Sequence, residues 1–262
     1  MPFTIDLKGK RAVVTGVTSG IGLGIAINLT RAGCVVTGCG TRPADSEGAR
    51  RFLTSTAKEG IEGHYFQQDL SQADSPANLI KQACNAMGGI DILVSNAGRN
   101  IFKGTEECTE SEWHECMELD LASHWRLARA ALPSLEESKG TVIIISSNHS
   151  KSTIPGCFPY NVAKAGLAAL VQSLAIEWGP VVRAVGIEPG FIDTEGNDKW
   201  FESFPDPAEE RRRTEQLHPV GRIGHVDEIG ALVVYLAGPH AGFISGTSIL
   251  VDGGRSALLQ DN

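Results

Sequence analysis

Tyr160 and Lys164 are the two residues in this sequence whose types and spacing most directly indicate chemistry. At a separation of four they share one face of a helix, one turn apart, so the ammonium group can lie beside the phenol. A free phenol ionises only near pH ~10, and an adjacent cation favours its ionised form. The pair can therefore act as a general acid and base, although the same spacing also occurs in helices without a catalytic role.

Composition limits the kinds of protein that the chain can be. Its 262 residues, of which 42% are hydrophobic and 21% charged, suffice for one large domain with a substantial core. A net charge of −8 without any Lys/Arg block disfavours a nucleic-acid partner. The six cysteines have no metal-ligand spacing, so we expect free thiols in a reducing cytosol and no metal site.

The sequence gives no indication of a membrane or export segment. The first residues do not show the charged segment followed by an apolar stretch that is typical of a signal peptide. No apolar run reaches the ~18 residues that a membrane span needs. We therefore expect a cytoplasmic protein without membrane contact.

A glycine-rich turn near the start has the sequence context of a dinucleotide site. Residues 11–15 form a short apolar run that predicts a buried strand, and an apolar helical pattern follows the turn. Between them, Gly16, Gly20 and Gly22 let the backbone approach a pyrophosphate, which the helix N-terminus also attracts. The glycines could alternatively serve only a tight turn, but the flanking elements favour a cofactor.

The end of the second predicted strand, 34–39, bears on the choice of cofactor. In dinucleotide folds an acid at this place binds the ribose 2′-hydroxyl of NAD, whereas an arginine accommodates the 2′-phosphate of NADP. Here Gly40 and Thr41 precede Arg42, and the first acid is Asp45. Arg42 therefore favours NADP.

Strands and helices alternate along the rest of the chain. Further strands are predicted at 64–66, 90–94, 141–145, 181–187 and 248–251, and helices at 44–60, 75–87, 110–135, 158–179 and 226–237. This alternation predicts an α/β fold, a single domain over 1–262 with a doubly wound parallel sheet and helices on both faces. Residues 191–217 are polar with interspersed aromatics, and we expect an irregular lid over the substrate.

The ordered set of motifs resembles the classical short-chain dehydrogenases/reductases. The set consists of Thr15-Gly16-x-x-x-Gly20-Ile21-Gly22, Asn96-Ala97-Gly98, Ser147, Tyr160-x-x-x-Lys164, Pro189-Gly190 and Val251-Asp252-Gly253-Gly254. The resemblance covers essentially the whole chain, in order and at the usual spacings. It implies an NAD(P)-dependent oxidoreductase with a Rossmann-type sheet of about seven strands.

The resemblance also implies roles for individual residues. Ser147 would hydrogen-bond the substrate oxygen, and Tyr160 would exchange the proton. Lys164 would bind the nicotinamide ribose and favour the ionised form of Tyr160. The fourth catalytic position is Asp120, where the family usually has an asparagine that holds a water molecule.

The resemblance also implies cofactor contacts along the strand ends. Ser19 weakens the preference for NADP, because relatives that prefer NADP often have a basic residue at this position. Either NADP or NAD is therefore expected. The implied contacts are Gly16, Thr18, Ser19, Gly20, Ile21, Gly22, Arg42, Asp69, Leu70, Asn96, Ala97, Gly98, Tyr160, Lys164, Pro189, Gly190, Ile192 and Thr194. Family members are commonly homotetramers, less often homodimers, with the helices at 110–135 and 158–179 in the interface.

The substrate is a small-molecule alcohol or carbonyl, which we expect Ser147, Asn148, His149, Tyr160 and Trp200 to contact. Asn148 and His149 stand where small apolar residues are more usual, which favours a sugar, a polyol or a hydroxy or keto acid. Trp200 and its aromatic neighbours could instead form a wall for a cyclic or acyl group.

Two other classes of function are compatible with parts of the sequence. A non-catalytic NADP-binding sensor or scaffold subunit is favoured only by Asp120. An enoyl-thioester reductase is disfavoured because those relatives usually lengthen the tyrosine–lysine spacing, which is four here.

Overall fold

The computed structural model describes residues 4–258 of the chain. Its main strands are β1 (Arg11–Thr15), β2 (Val35–Gly40), β3 (His64–Gln67), β4 (Ile92–Ser95), β5 (Thr141–Ile145), β6 (Arg183–Pro189) and β7 (Thr247–Val251). The helices are α1 (Gly20–Arg31), α2 (Glu47–Lys58), α3 (Ser75–Met87), α4 (Glu110–Met117), α5 (Ser123–Ser138), α6 (Tyr160–Trp178), α7 (Glu195–Glu202), α8 (Pro207–Gln216) and α9 (Val226–Ala237).

Within residues 4–258 these seven strands form one parallel sheet in the order β7-β6-β5-β4-β1-β2-β3. The chain winds outward in both directions from β1, so the strand order reverses between β1 and β4. This confirms the Rossmann-type doubly wound sheet that the sequence predicts. A crevice opens beyond the carboxyl ends of strands at such a reversal, and ligands bind there.

Both faces of the sheet are covered by helices because consecutive residues of the central strands are apolar and point alternately to the two faces. Val14 of β1 faces a cluster that includes Ile25 of α1, together with residues of α9. Its neighbour Val13 points to the opposite cluster, with Leu127 of α5 and Leu167 of α6. All of these side chains are fully buried. Two cores, one on each face, therefore hold the strand ends in place.

The prediction of a single helix over 110–135 is wrong for the middle of that range. A π-helical turn, Glu118–Ala122, separates α4 from α5 and carries Asp120. α4 begins with a capping box between Thr109 and Glu112, and α5 continues to Ser138. A turn of this wider type is often found at functional sites, and the spacing of apolar residues does not reveal it.

The substrate segment, residues 191–217, was predicted to be irregular, but most of it is helical. Thr194 caps α7, its hydroxyl accepting from the Asn197 N–H at 3.3 Å, and Asp206 caps α8 by accepting from the Glu209 N–H at 2.9 Å. Pro207, at the first position of α8, suits a helix start. Both capping residues are visible in the sequence, but the polar composition of the segment led to the prediction of irregular structure.

Two short pairings complete the rim above the sheet. Phe102–Lys103 pairs antiparallel with Phe158–Pro159, directly before α6. Ile192–Asp193 pairs parallel with Gly224–His225, which ties the start of the substrate segment to α9. All six cysteines are free thiols. Among the helices of residues 4–258, none is both long and apolar enough to cross a bilayer.

Candidate active site

The structure brings the predicted pair together at the start of α6. Tyr160 is the first residue of that helix, and the Lys164 Nζ lies 5.3 Å from the centre of the Tyr160 ring. Lys164 is only 4% exposed. The Ser146 hydroxyl donates to the Lys164 carbonyl oxygen at 2.8 Å, which fixes α6 against the end of β5. The ammonium group is thus held beside the phenol ring.

Asp120 lies in direct contact with this lysine. Its carboxylate is fully buried, and Oδ1 is 3.4 Å from the Lys164 Nζ and accepts from the Arg99 N–H at 3.1 Å. Burial raises the pKa of Asp120, against the opposing effect of the Lys164 charge. Burial alone would lower the pKa of Lys164, but the neighbouring Tyr160 and Asp120 raise it. Lys164 therefore stays protonated.

Ser147 stands at the end of β5 and opens a short 3₁₀ turn, Asn148–Ser150. Its hydroxyl accepts from the His149 N–H at 3.2 Å and lies 3.4 Å from the Asn148 Oδ1. The His149 ring packs edge-on against the Tyr160 ring at 6.0 Å, and Phe102 does so at 5.2 Å. Polar groups and aromatic rings therefore surround the phenol together.

The glycine turn after β1 is pressed against the loop after β4. Thr15 Oγ1 accepts from the N–H groups of Asn96 and Ala97, both at 2.9 Å, and the Asn96 side chain donates to the Thr15 carbonyl oxygen at 2.8 Å. A Cβ at Gly22 would lie 2.2 Å from the Gly16 carbonyl oxygen. With α1 beginning at Gly20, this backbone cradle fits the pyrophosphate of a dinucleotide.

Two further contacts connect the cradle with the rest of the site. A Cβ at Gly98 would lie 2.4 Å from Asp120 Oδ1 and 3.3 Å from the Lys164 Nζ, so the loop after β4 reaches the catalytic candidates. A Cβ at Gly20 would lie 3.4 Å from the Thr194 Cγ2, which places the cap of α7 beside the glycine turn. Pro189 ends β6, and Gly190 and Ile192 follow it along the chain.

Three of the predicted contacts stand at the edge of this arrangement. Arg42 is exposed at the end of β2, where the Tyr65 hydroxyl donates to its carbonyl oxygen at 2.6 Å. Asp69 accepts from the Ser71 hydroxyl at 2.7 Å, which lowers the pKa of Asp69. Leu70 is buried in the core.

Trp200, which we expected to contact the substrate, lies in an aromatic cluster of the substrate segment. Its ring is 4.8 Å from Phe204 and 5.5 Å from Phe191, and its side chain remains 39% exposed. These packing contacts link the start of the segment to α7, so they account for Trp200 without any substrate.

Sequence reasoning missed Glu188, although a signal was present. This glutamate stands in a strand whose neighbours are all buried, and it is itself 0% exposed. Its Oε1 accepts from the Ser150 hydroxyl at 2.8 Å, and the Lys151 Nζ lies 2.8 Å from Oε2, an ion pair rather than an aligned hydrogen bond. A carboxylate in a buried strand should have prompted a search for such partners.

Two other neighbours of the site had no sequence signal. Arg51 of α2 forms an ion pair with Glu195 and lies 3.4 Å from the carbonyl oxygen of Thr18 in the glycine turn. His124 of α5 is fully buried with Nδ1 2.8 Å from the Ser95 hydroxyl. Burial, together with the Lys164 charge, lowers the pKa of His124 to about 3, so the ring is neutral at physiological pH.

Known proteins match this chain along almost its entire length. A family model described as Enoyl-(Acyl carrier protein) reductase matches residues 16–256. The 3beta-hydroxysteroid dehydrogenase 1 of Eggerthella lenta is 32% identical over 254 residues, covering 96% of this chain and 95% of that protein.

Solved structures agree with the sequence matches. A short-chain dehydrogenase/reductase from Serratia marcescens superposes with a TM-score of 0.87 at 31% identity, covering 95% of this chain and 99% of its own. The aldohexose dehydrogenase of Thermoplasma acidophilum superposes with a TM-score of 0.88 at 26% identity, covering 99% of both chains. With the sheet order, the glycine cradle and the tyrosine–lysine pair, these matches establish that the chain belongs to the classical short-chain dehydrogenase/reductase family.

Proposed function

We propose that the protein is an NAD(P)-dependent oxidoreductase that interconverts a secondary alcohol and the corresponding carbonyl compound in a polar substrate. The observation that carries this proposal is that Lys164 contacts both Tyr160 and Asp120 beside a backbone cradle that suits a dinucleotide. Ser147 begins the adjoining 3₁₀ turn, whose His149 packs on Tyr160. The bound nicotinamide would accept or supply the hydride.

The proton would move through the phenol of Tyr160. In oxidation Tyr160 takes the proton of the substrate hydroxyl, and in reduction it donates a proton to the carbonyl oxygen. Lys164 stabilises the ionised phenol because its ammonium group is buried 5.3 Å from the ring centre. Asp120 keeps that ammonium group in position through the contact at 3.4 Å.

Ser147 would hold the reacting oxygen, with Asn148 and His149 beside it. His149 of this 3₁₀ turn packs against Tyr160 and Asn148 contacts Ser147, which supports a sugar, a polyol or a hydroxy or keto acid. The similarity to the Thermoplasma aldohexose dehydrogenase agrees with a sugar-like substrate. Phe102 against Tyr160, and the steroid named for the Eggerthella relative, favour the alternative of a cyclic or acyl apolar substrate.

NADP is the proposed cofactor, with NAD as the alternative. Arg42, exposed at the end of β2, supports NADP, and no acid stands there to bind the 2′-hydroxyl of NAD. Arg51, which reaches Thr18 of the glycine turn, places a second arginine on the same side. Its carboxylate partner Glu195 offsets part of that charge.

The organisation of the whole molecule is proposed on similar grounds. We propose one domain over 1–262, with residues 191–217 as the loop that covers the substrate. Exposed Trp125 on α5 and Ile176 on α6 support a homotetramer or homodimer built on these helices. The six free cysteines support a cytoplasmic location.

The test follows the absorbance of reduced nicotinamide with NAD and NADP in parallel, against aldoses, polyols, hydroxy acids and cyclic alcohols. Tyr160→Phe should lower turnover by about 10²- to 10⁴-fold, because the acid/base group is lost, while cofactor affinity is retained. Tyr235→Phe, in a partly buried tyrosine of α9, is the control and should keep full activity.

The outcomes separate the candidate functions. Turnover that survives Tyr160→Phe would contradict the proton route. Tight cofactor binding without turnover across the whole panel would favour the sensor or scaffold. A signal mainly with NAD would exclude Arg42 as a phosphate clamp.

A further inference from the structure

The last turn that the structure describes contacts the substrate side of the site. After β7, Asp252 accepts from the N–H groups of Gly254 at 3.0 Å and Ser256 at 2.7 Å, which shapes the 3₁₀ turn Arg255–Ala257. The Asn148 side chain donates to the Ser256 hydroxyl at 3.4 Å. Since Asn148 also contacts Ser147, this turn lies two contacts away from the predicted catalytic serine.

Arg255 of this turn has an unsatisfied donor. Its Nη1 is buried and makes no hydrogen bond to any atom of residues 4–258. Asp252 is near enough to act through its charge, but both of its carboxylate oxygens accept from backbone N–H groups. Burial, reinforced by the charge of Arg213, lowers the pKa of Arg255. A buried guanidinium donor without a partner is costly unless a ligand supplies one.

Two other cations around the turn have carboxylate partners. Arg213 of α8 donates to both carboxylate oxygens of Glu210, at 2.6 and 2.9 Å. Lys151, after the 3₁₀ turn that carries His149, is paired with Glu188 at 2.8 Å. Of these three cations, Arg255 is the one with a buried donor, Nη1, that has no hydrogen-bond partner among residues 4–258.

The charge of Arg255 acts on a residue beside Tyr160. The pKa of His149 is lowered by burial and by the charge of Arg255, and the His149 ring packs against Tyr160 at 6.0 Å. His149 thus contacts Tyr160 directly and is close enough to Arg255 for its charge to act on the ring. A substrate held by Ser147 and Tyr160 would have Arg255 as a nearby cation.

We propose that Arg255 binds a carboxylate group of the substrate, so that the substrate is a hydroxy acid and its product the corresponding keto acid. The inference rests on the proposed redox function and adds the substrate class. The unsatisfied Nη1 donor can bind a carboxylate oxygen, and the planar guanidinium can hold a carboxylate through two parallel hydrogen bonds. A phosphate monoester, with its greater charge, would need a second unpaired cation.

The reaction balances without another reactant. In oxidation the substrate hydroxyl gives its proton to Tyr160, and the hydrogen on the same carbon leaves with its electron pair to the oxidised nicotinamide. The carbon–oxygen bond becomes a carbonyl, and the carboxylate on Arg255 is unchanged. Arg255 thus selects and orients the substrate and takes no part in the transfer.

The first experiment compares hydroxy acids with their methyl esters, which keep the shape and remove the charge. Acids with the hydroxyl at carbon 2, 3 or 4 are assayed with the natural protein, Arg255→Gln and Arg255→Lys. We expect Arg255→Gln to lower kcat/KM for the preferred acid about 10- to 100-fold, chiefly through KM, and to leave its ester unchanged. The kcat/KM of Arg255→Lys for the acid should lie between those of the natural protein and Arg255→Gln, because lysine keeps the charge but lacks the planar pair of donors of a guanidinium.

Arg212→Gln is the matched control. Arg212 also lies near the end of the substrate segment, but its side chain is 59% exposed and paired with Glu209. The control should have the same kcat/KM values for acid and ester as the natural protein. A natural protein that turns over esters as well as acids, or an Arg255→Gln variant that loses both equally, would overturn the carboxylate site and leave the redox function standing.

A second measurement does not depend on turnover. Keto acids with the carbonyl at carbon 2, 3 or 4 are titrated calorimetrically into the protein with NADP⁺ and, separately, with NAD⁺, because a keto acid cannot react with an oxidised cofactor. Binding that Arg255→Gln weakens about 10- to 100-fold supports the site, even if no alcohol is oxidised and the redox proposal fails. Keto-acid binding that is absent throughout the series, or equal in both proteins, overturns the site.

Discussion

The two sides of the crevice differ in composition, since one is formed mainly by backbone and the other by charged side chains. On the cofactor side, Gly16, Gly22 and Asn96 make a wall of backbone in which an added Cβ would lie 2.2 Å from a carbonyl oxygen. On the substrate side, charged side chains hold the loops, as where Glu188 joins Ser150 and Lys151 at 2.8 Å each. The first side leaves almost no freedom, whereas the second depends on the partners that each side chain finds.

This difference matches what each side has to bind. A pyrophosphate is the same in NAD and NADP, and backbone N–H groups at a helix start recognise it without any particular side chain. A substrate must be distinguished from similar molecules, and side chains such as Asn148 and Arg255 can do so by charge and hydrogen bonding. The comparison therefore predicts that small changes are damaging on one side and selective on the other.

The largest effect is expected from a methyl group added on the cofactor side. Gly22→Ala should lower the free energy of unfolding by about 1–3 kcal/mol and weaken cofactor binding at least about 10-fold, because the new Cβ overlaps the Gly16 carbonyl oxygen and the Asn96 side chain. The measurements are urea unfolding and fluorescence titration with NADPH and NADH.

Gly196→Ala is the matched change in the substrate segment. A Cβ there has the Thr194 Oγ1 at 3.8 Å as its nearest neighbour, and the residue is helical in α7. Alanine should therefore stabilise the protein by up to about 1 kcal/mol. Equal losses for the two variants would contradict the contrast between the sides.

The cofactor side was also the more predictable one. Its glycines, the β-branched strands and the Asn96-Ala97-Gly98 loop act over short stretches of chain, so their pattern indicates both the fold and the cradle. The substrate side depends on contacts between distant residues, such as Ser150 with Glu188 across 38 positions, and Asn148 with Ser256 across 108. No local pattern encodes such a pairing.

Features that interrupt a regular element escaped prediction for a related reason. The π-helical turn that carries Asp120 lies between two stretches with ordinary helical spacing, so the pattern indicated one helix. The identity of Asp120 as the fourth residue came from the family resemblance. Its contact with Lys164 required the structure.

A second prediction concerns the buried carboxylate of the substrate side. Glu188→Gln removes the charge that attracts Lys151 but can still accept from Ser150, so the 3₁₀ turn should loosen without unfolding. We expect a loss of about 1–3 kcal/mol in the free energy of unfolding and a rise in substrate KM, with unchanged cofactor affinity. Urea unfolding, steady-state kinetics and cofactor titration measure the three quantities.

Glu209→Gln provides the surface control for this carboxylate. Glu209 pairs with Arg212 on α8 with both side chains largely exposed, so its loss should change stability by less than about 1 kcal/mol. If Glu188→Gln behaves like Glu209→Gln in both stability and KM, then the buried pair does not shape the substrate side.

The smallest effect is expected at Asp120, where the two sides meet. Its carboxylate contacts Lys164 and the Arg99 N–H, lies 3.9 Å from the Cys116 thiol, and leaves no room for a Cβ at Gly98. A negative charge there raises the pKa of Lys164. Asp120→Asn removes that charge with little change in shape.

The sign of the expected shift follows from this charge. Oxidation needs the protonated Lys164 beside the phenol, so without the carboxylate the lysine loses its proton at lower pH and the alkaline limb of the oxidation pH profile moves to lower pH. Profiles of kcat/KM for Asp120→Asn are compared with those of Asp198→Asn, an acid paired with Arg211 at the surface. An unmoved limb in Asp120→Asn would mean that burial, which raises the pKa of Asp120, keeps its carboxyl group protonated throughout.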